Sequence, residues 1–155
     1  MEVRMARVVL NRKLLTVIKE DFRRKYNEVD NISDTQSVVK VMNDVFGLSE
    51  QAEEYVYIIC MTSKCKPICF FEVAHGSQTK VLVEPSAILT RVLLCGAPEF
   101  ILIHNHPSGN PKPSVDDIRI TNRIRSASEL VGVTMADHII IGRDGFFNFK
   151  VCKPM

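Results

Sequence analysis

Apolar and polar positions change period several times along the chain, and each change marks an element. Val38, Val41, Met42 and Val45 recur at helical spacing behind Ser33 and Gln36, which stand at capping-box distance, and Gly47 is placed to stop that helix. Tyr55–Met61 is a continuous apolar run rich in β-branched and aromatic side chains, as a buried strand requires. Ile68–Ala74 repeats that pattern beyond Lys64-Cys65-Lys66, and Val81–Val83 predicts a short third strand. Pro85 at a first helical turn, then Ile88, Leu89, Val92 and Leu93 closed by Gly96, predicts a second helix. Phe100–Ile103 reads as a short buried strand running straight into His104. A proline-rich loop and a helix from about Ser114 to Val131 follow. Ile139–Ile141 and Phe146–Phe149 flank Gly142-Arg143-Asp144-Gly145, the pattern of a closing hairpin. Helices and strands alternate irregularly, which predicts an α/β domain in the loose sense: helices packed on a mixed, mostly antiparallel central sheet.

Composition adds bounds. The chain has 155 residues, 46% hydrophobic and 25% charged, the size and make-up of one globular domain. A formal charge of +2 points to no class of partner. No run approaches the length of a membrane span, and Arg4, Arg7, Arg12 and Lys13 break every apolar stretch where a secretory signal would lie. Five cysteines, an odd number, favour free buried thiols and a cytoplasmic, reducing location over a disulfide framework. Residues 1–30 read as a basic extension carrying Arg4, Arg7, Arg12, Lys13, Lys19, Arg23, Arg24 and Lys25. A solvated basic face is the plain reading; an arm touching nucleic acid or an acidic partner is the sharper one, without the aromatic interleaving that base stacking needs.

The chemistry concentrates in residues 104–117. His104 and His106, two positions apart at a strand end, project from one face with Cα atoms roughly 7 Å apart, close enough to converge on one ion. Asp117 stands three residues after Ser114, so the pair fits a helix cap; a helix N-terminus facing the strand end would also aim Asp117 at the histidines as a third ligand. Two histidines and one carboxylate would leave the open position of a catalytic rather than structural zinc. A general base is then needed, and Glu53 and Glu54, just before the buried strand, are both candidates. Ser114 has a second possible task, donating to a developing oxyanion. His75 reads as a turn or surface residue, and His138 as a structural or ligand-orienting one.

The arrangement Glu…His-x-His-x₇-Ser-x₂-Asp resembles the JAMM (MPN⁺) metalloprotease signature. His104-Asn105-His106-Pro107-Ser108-Gly109 with Pro113-Ser114 and Asp117 resembles the bacterial RadC family of that superfamily. Asp137-His138-Ile139-Ile140-Ile141-Gly142 and Gly76-Ser77 extend the likeness over roughly residues 32–149, while Glu84-Pro85-Ser86 lacks the arginine of the family's usual Pro-Arg-Glu. The resemblance implies a JAMM/MPN-like, cytidine-deaminase-like fold over residues 31–155. It implies one Zn²⁺ per chain on His104, His106 and Asp117, with Ser114 beside them. It places the catalytic glutamate on Glu53, with Glu54 the one-residue alternative. It further implies hydrolysis of an amide or isopeptide bond in a polypeptide or other amide-bearing substrate, and a link to DNA repair. A rival reading is a non-catalytic repair or mobile-element module that retains a zinc site. The sequence names no substrate and no oligomeric state.

Overall fold

Strand alternation divides the apolar residues between two faces of one sheet. The structure, a computed structural model, describes residues 1–76 and 83–149. Its strands are β1 (Glu2–Leu10), β2 (Thr16–Lys25), β3 (Tyr55–Met61), β4 (Pro67–His75), β5 (Glu99–Asn105), β6 (Thr134–Gly142) and β7 (Gly145–Asn148), and its helices are α1 (Thr35–Phe46), α2 (Pro85–Leu94) and α3 (Val115–Leu130). The sheet runs β2-β1-β4-β3-β5-β6-β7. The β1/β4 and β5/β6 pairs are parallel and the rest antiparallel. This is the mixed, largely antiparallel α/β architecture expected. Along β3, Tyr57, Ile59 and Met61 join Val38, Val41 and Met42 of α1 in one buried cluster. Val56, Ile58 and Cys60 join Ile88 and Val92 of α2 and Ile124 of α3 in the other. The period of two along a strand thus assigns every β3 side chain to one helix layer.

Several local signals act as expected. β3 begins and ends where the apolar run does, and Gly47, at φ 60°, donates its N–H to Asn43 O to close α1. Others shift. Asp34, not Ser33, caps α1: its carboxylate accepts the Ser37 N–H at 2.9 Å, while the Ser33 N–H is drawn into the preceding turn by Asn31 Oδ1 at 3.1 Å. Residues 1–30, expected as an extension, contribute β1 and β2 to the sheet, and the N-terminal ammonium donates to Tyr26 O at 2.6 Å. Positions 81 and 82 of the expected Val81–Val83 strand, and residues 150–155, lie outside the described residues. Among the described residues, no helix is long and apolar enough to cross a membrane.

Candidate metal centre

The site starts with the register between β3 and β5. Phe100 and Leu102 lie in the cluster under α2 and α3, so His104, next in the same alternation, faces those helices too. Val56 sits opposite His104 across the β3/β5 pair. Two residues before Val56 on the same face is Glu54, whose Oε1 lies 4.0 Å from His104 Nε2. Glu53 has the opposite parity. Its side chain is exposed, and its main-chain carbonyl accepts from Asn105 Nδ2 at 3.0 Å. The expectation that Glu53 faces the histidines is therefore corrected to Glu54: a shift of one residue turns the side chain to the other face. Asn105, buried between the histidines, also accepts the Tyr55 N–H at 2.7 Å, so its amide clamps residues 53–55 to the end of β5 and fixes where Glu54 points. Sequence reasoning passed over Asn105; a carboxamide ending a strand with an apolar middle was the available signal.

The third donor arrives on α3. Asp117, Thr121, Ile124 and Ser128 form that helix's inward stripe at three- and four-residue spacing. Ser114 caps the helix in a full capping box: its hydroxyl accepts the Asp117 N–H at 3.1 Å and donates to Asp117 Oδ2 at 2.6 Å. The Ser114 N–H donates to the same oxygen at 2.7 Å. The hydroxyl of Ser114 is thus directed at Asp117, and it anchors the carboxylate so that Oδ1 turns toward His104. The intervening loop rests on Gly142, where a Cβ would come within 2.2 Å of Gly109 O.

These parts bring Glu54, His104, His106 and Asp117 together with one ligand atom from each lying within 4.8 Å of the others. His104 Nε2 is 3.0 Å from His106 Nε2 and 3.3 Å from Asp117 Oδ1, and His106 Nε2 is 3.4 Å from Asp117 Oδ2. Tetrahedral donors at zinc bond lengths sit about 3.3 Å apart, so the set fits such an ion. The proton inventory, assigned from the hydrogen-bond network, points the same way. Thr121 Oγ1 donates to the Asp117 carbonyl at 2.5 Å and so accepts from His138 Nδ1 at 2.6 Å. His138 Nε2 then accepts from His104 Nδ1 at 2.8 Å, which leaves His104 Nε2 a bare lone pair. His106 Nδ1 donates to Asn110 O at 2.9 Å, which leaves its Nε2 bare as well. Two imidazole nitrogens and a carboxylate facing one another in this way form a site that a metal ion, or a proton in its absence, would balance.

Burial on the sheet face sets the electrostatics. Burial holds the His138 ring far below the usual imidazole range, consistent with the neutral tautomer just assigned. Asp117, through its contact with His106, raises the His106 ring, so without a metal the balancing cation is a proton there. Burial raises Asp117, but its contacts with His104 and His106 outweigh that and hold the carboxyl well below the usual range. Burial likewise raises Glu54, against the lowering charges of the two histidines. A cleft of about 530 Å³ opens over these groups, walled by Val56, Leu102, Ile120 and Ile124 and rimmed by Arg119 and Arg123. His75 stays outside it, exposed and paired with Glu72 at 2.8 Å, as a surface residue.

The Thr121–His138–His104 chain carries its own prediction. His138→Phe leaves His104 Nδ1 without its acceptor, and Thr121→Val removes the group that sets the His138 tautomer. Each is expected to weaken metal binding by about 10–100-fold, with Thr121→Ser close to the parent chain. Competition against a chromophoric chelator measures this. An unchanged affinity in His138→Phe defeats the assignment.

The chain is similar to known proteins over most of its length. The family described as RadC-like JAB domain matches residues 32–153. The chain is 41% identical over 97 residues to a UPF0758 protein of Coprothermobacter proteolyticus, covering 63% of the chain and 41% of that protein. It is 33% identical over 129 residues to one of Thermotoga maritima, covering 83% of the chain and 58% of that protein. Against one of Clostridium perfringens it is 32% identical over 152 residues, covering 97% of the chain and 66% of that protein. The chain thus spans about two fifths to two thirds of the length of these relatives. With the family match spanning most of its length, and the fold and the two-histidine, two-carboxylate group in place, the chain belongs to the RadC family of the JAB/MPN superfamily.

Proposed function

We propose that the chain is a zinc-dependent hydrolase, working in the cytoplasm on an amide or isopeptide bond of a polypeptide. The observation that carries this reading is the convergence of two imidazole nitrogens and an anchored carboxylate at 3.0–3.4 Å, with the half-buried Glu54 beside them. His104, His106 and Asp117 would hold the ion. When bound, Zn²⁺ supplies Lewis acidity, polarising a carbonyl and making a water acidic near neutral pH. The chain's own residues do the rest. Glu54, whose carboxyl is raised by burial, takes a proton from the attacking water and returns it to the leaving amine. Ser114 holds Asp117, Asn105 holds the Glu54 segment, and the apolar wall of the cleft excludes bulk water around the scissile bond. Free thiols at Cys60, Cys65, Cys69 and Cys95 suit a reducing compartment. The basic hairpin supports a nucleic-acid partner weakly, since Arg4, Arg7 and Arg23 are engaged by Glu20, Asp21 and Glu2.

The test is metal-dependent cleavage. Full-length chain is stripped with a chelator, checked by elemental analysis, and incubated with a mixed pool of peptides and lysine-linked isopeptides read by mass spectrometry. Cleavage is expected only after Zn²⁺ is restored. A fully loaded chain that cleaves nothing in the pool leaves the site to a non-catalytic role and overturns the hydrolase reading.

A further inference from the structure

A second reactive group lies at the other end of β3. Cys60 stands six residues beyond Glu54 on the same face, roughly 20 Å along the strand. Cys69 is its cross-strand partner in the β3/β4 pair. Both are buried, at 0% and 1% exposure, in the cluster that Cys95 packs against from the C-terminal end of α2. Cys95 is half-buried, so it alone of the three reaches solvent. The sulfurs do not close on a common point: among the described residues, the only set of three or more donors lying within 4.8 Å of one another is the Glu54–His104–His106–Asp117 group. The three thiols thus share one cluster without converging on a point, an arrangement that suits pairwise bonding and not a three-thiolate metal site.

The charges of two arginines act on these thiols. Arg91, one helical turn before Cys95, has a buried Nε with no hydrogen-bond partner, and its Nη1 donates to Ala87 O at 2.6 Å. Its charge acts on Cys60, and that of Arg4 acts on Cys95. The Cys60 and Cys69 contacts lower the Cys95 thiol, with help from Arg4 and against burial. Cys60 and Cys69 are pushed up by contact with Cys95 and by burial, so they remain protonated donors beside it. A guanidinium nitrogen left without an acceptor beside thiols is what an anion on sulfur, or on oxygen bonded to that sulfur, would satisfy.

We propose that Cys95 is an oxidation-sensitive thiol that closes an intramolecular disulfide with Cys60 or Cys69 when it meets a hydroperoxide. The Cys95 thiolate attacks the terminal peroxide oxygen; an S–O bond forms, the O–O bond breaks, and the alkoxide or hydroxide released takes a proton from solvent. The neighbouring strand thiol then attacks the Cys95 sulfur; the S–S bond forms, the S–O bond breaks, and hydroxide leaves with that thiol's proton as water. Two thiols supply the two electrons that reduce the peroxide. A dithiol reductant reverses the bond. The proposal needs neither metal nor hydrolytic activity, so it stands or falls apart from the function argued above.

The experiment treats the full chain with stoichiometric hydrogen peroxide, blocks remaining thiols by alkylation, and maps peptides without reduction. A peptide pair joining Cys95 to Cys60 or Cys69, removed by dithiothreitol and retained in Cys65→Ser/Cys152→Ser, is the expected result. Alkylation of untreated protein by iodoacetamide at neutral pH checks the premise without any variant: Cys95 is expected to react at least about 10-fold faster than Cys65. A Cys60–Cys69 bond, a disulfide built on Cys65 or Cys152, cross-linked dimers, or equal alkylation of Cys95 and Cys65 each overturns it.

Discussion

His104→Ala is expected to bring bound metal from close to one ion per chain to near zero, and Asp117→Ala to do the same, while Glu53→Ala leaves it unchanged. His104 Nε2 is the shared vertex of the donor set, at 3.0 Å from His106 and 3.3 Å from Asp117. Removing it leaves one imidazole and one carboxylate, too few donors to hold an ion through gel filtration. The loss should exceed the 10–100-fold expected for groups that only orient a ligand. Asp117→Ala also deletes half of a capping box, worth about 1 kcal/mol, so folding must be checked separately. Asp117→Asn answers that: it keeps an acceptor for the Ser114 N–H while giving up the charge that balances the ion. Elemental analysis after chelator-free purification, with thermal unfolding as control, decides the matter. Stoichiometric metal in both alanine variants would sink the assignment of ligands.

What the sequence disclosed and what it withheld follow from the range of the interactions involved. β3 and the first turn of α3 were legible because their signals are local: an unbroken apolar run, and a serine followed three residues later by an acid. His104, His106 and Asp117 were legible because one short loop carries the whole motif. The cap of α1 was misplaced by one residue because Ser33 and Asp34 are both good caps, and it is the Asp34 carboxylate that accepts the Ser37 N–H. The β1–β2 hairpin was hidden because its strands are dense in charge; Arg4–Glu20 and Arg7–Asp21 pair across them, so the alternation is of charges more than of apolar residues. Thr121 and Asn105 were invisible as functional residues. Their importance lies in contacts 17 and 50 residues away in the chain, to His138 and to Tyr55, and no local pattern encodes those.

The choice between Glu53 and Glu54 is where strand parity becomes measurable. Glu54→Gln is expected to lower turnover by about 10²–10⁴-fold with metal content unchanged, because it removes a proton carrier at the rim of the donor set and no ligand. Glu53→Gln should stay near the parent rate. Its carboxylate is exposed, and the contact it does make, from Asn105 Nδ2 to its carbonyl, survives any side-chain change. Asn105→Ala then serves as the geometric control. It should lower turnover with Glu54 still present, since the clamp from β5 to residues 53–55 is gone and the carboxylate no longer holds its place 4.0 Å from His104. The three variants separate two causes: loss of the acid–base group and loss of its position. Measured on any substrate the metal-loaded chain cleaves, equal and large losses in Glu53→Gln and Glu54→Gln would mean that the segment before β3 moves in the working enzyme. A loss confined to Glu53→Gln would reverse the parity argument outright.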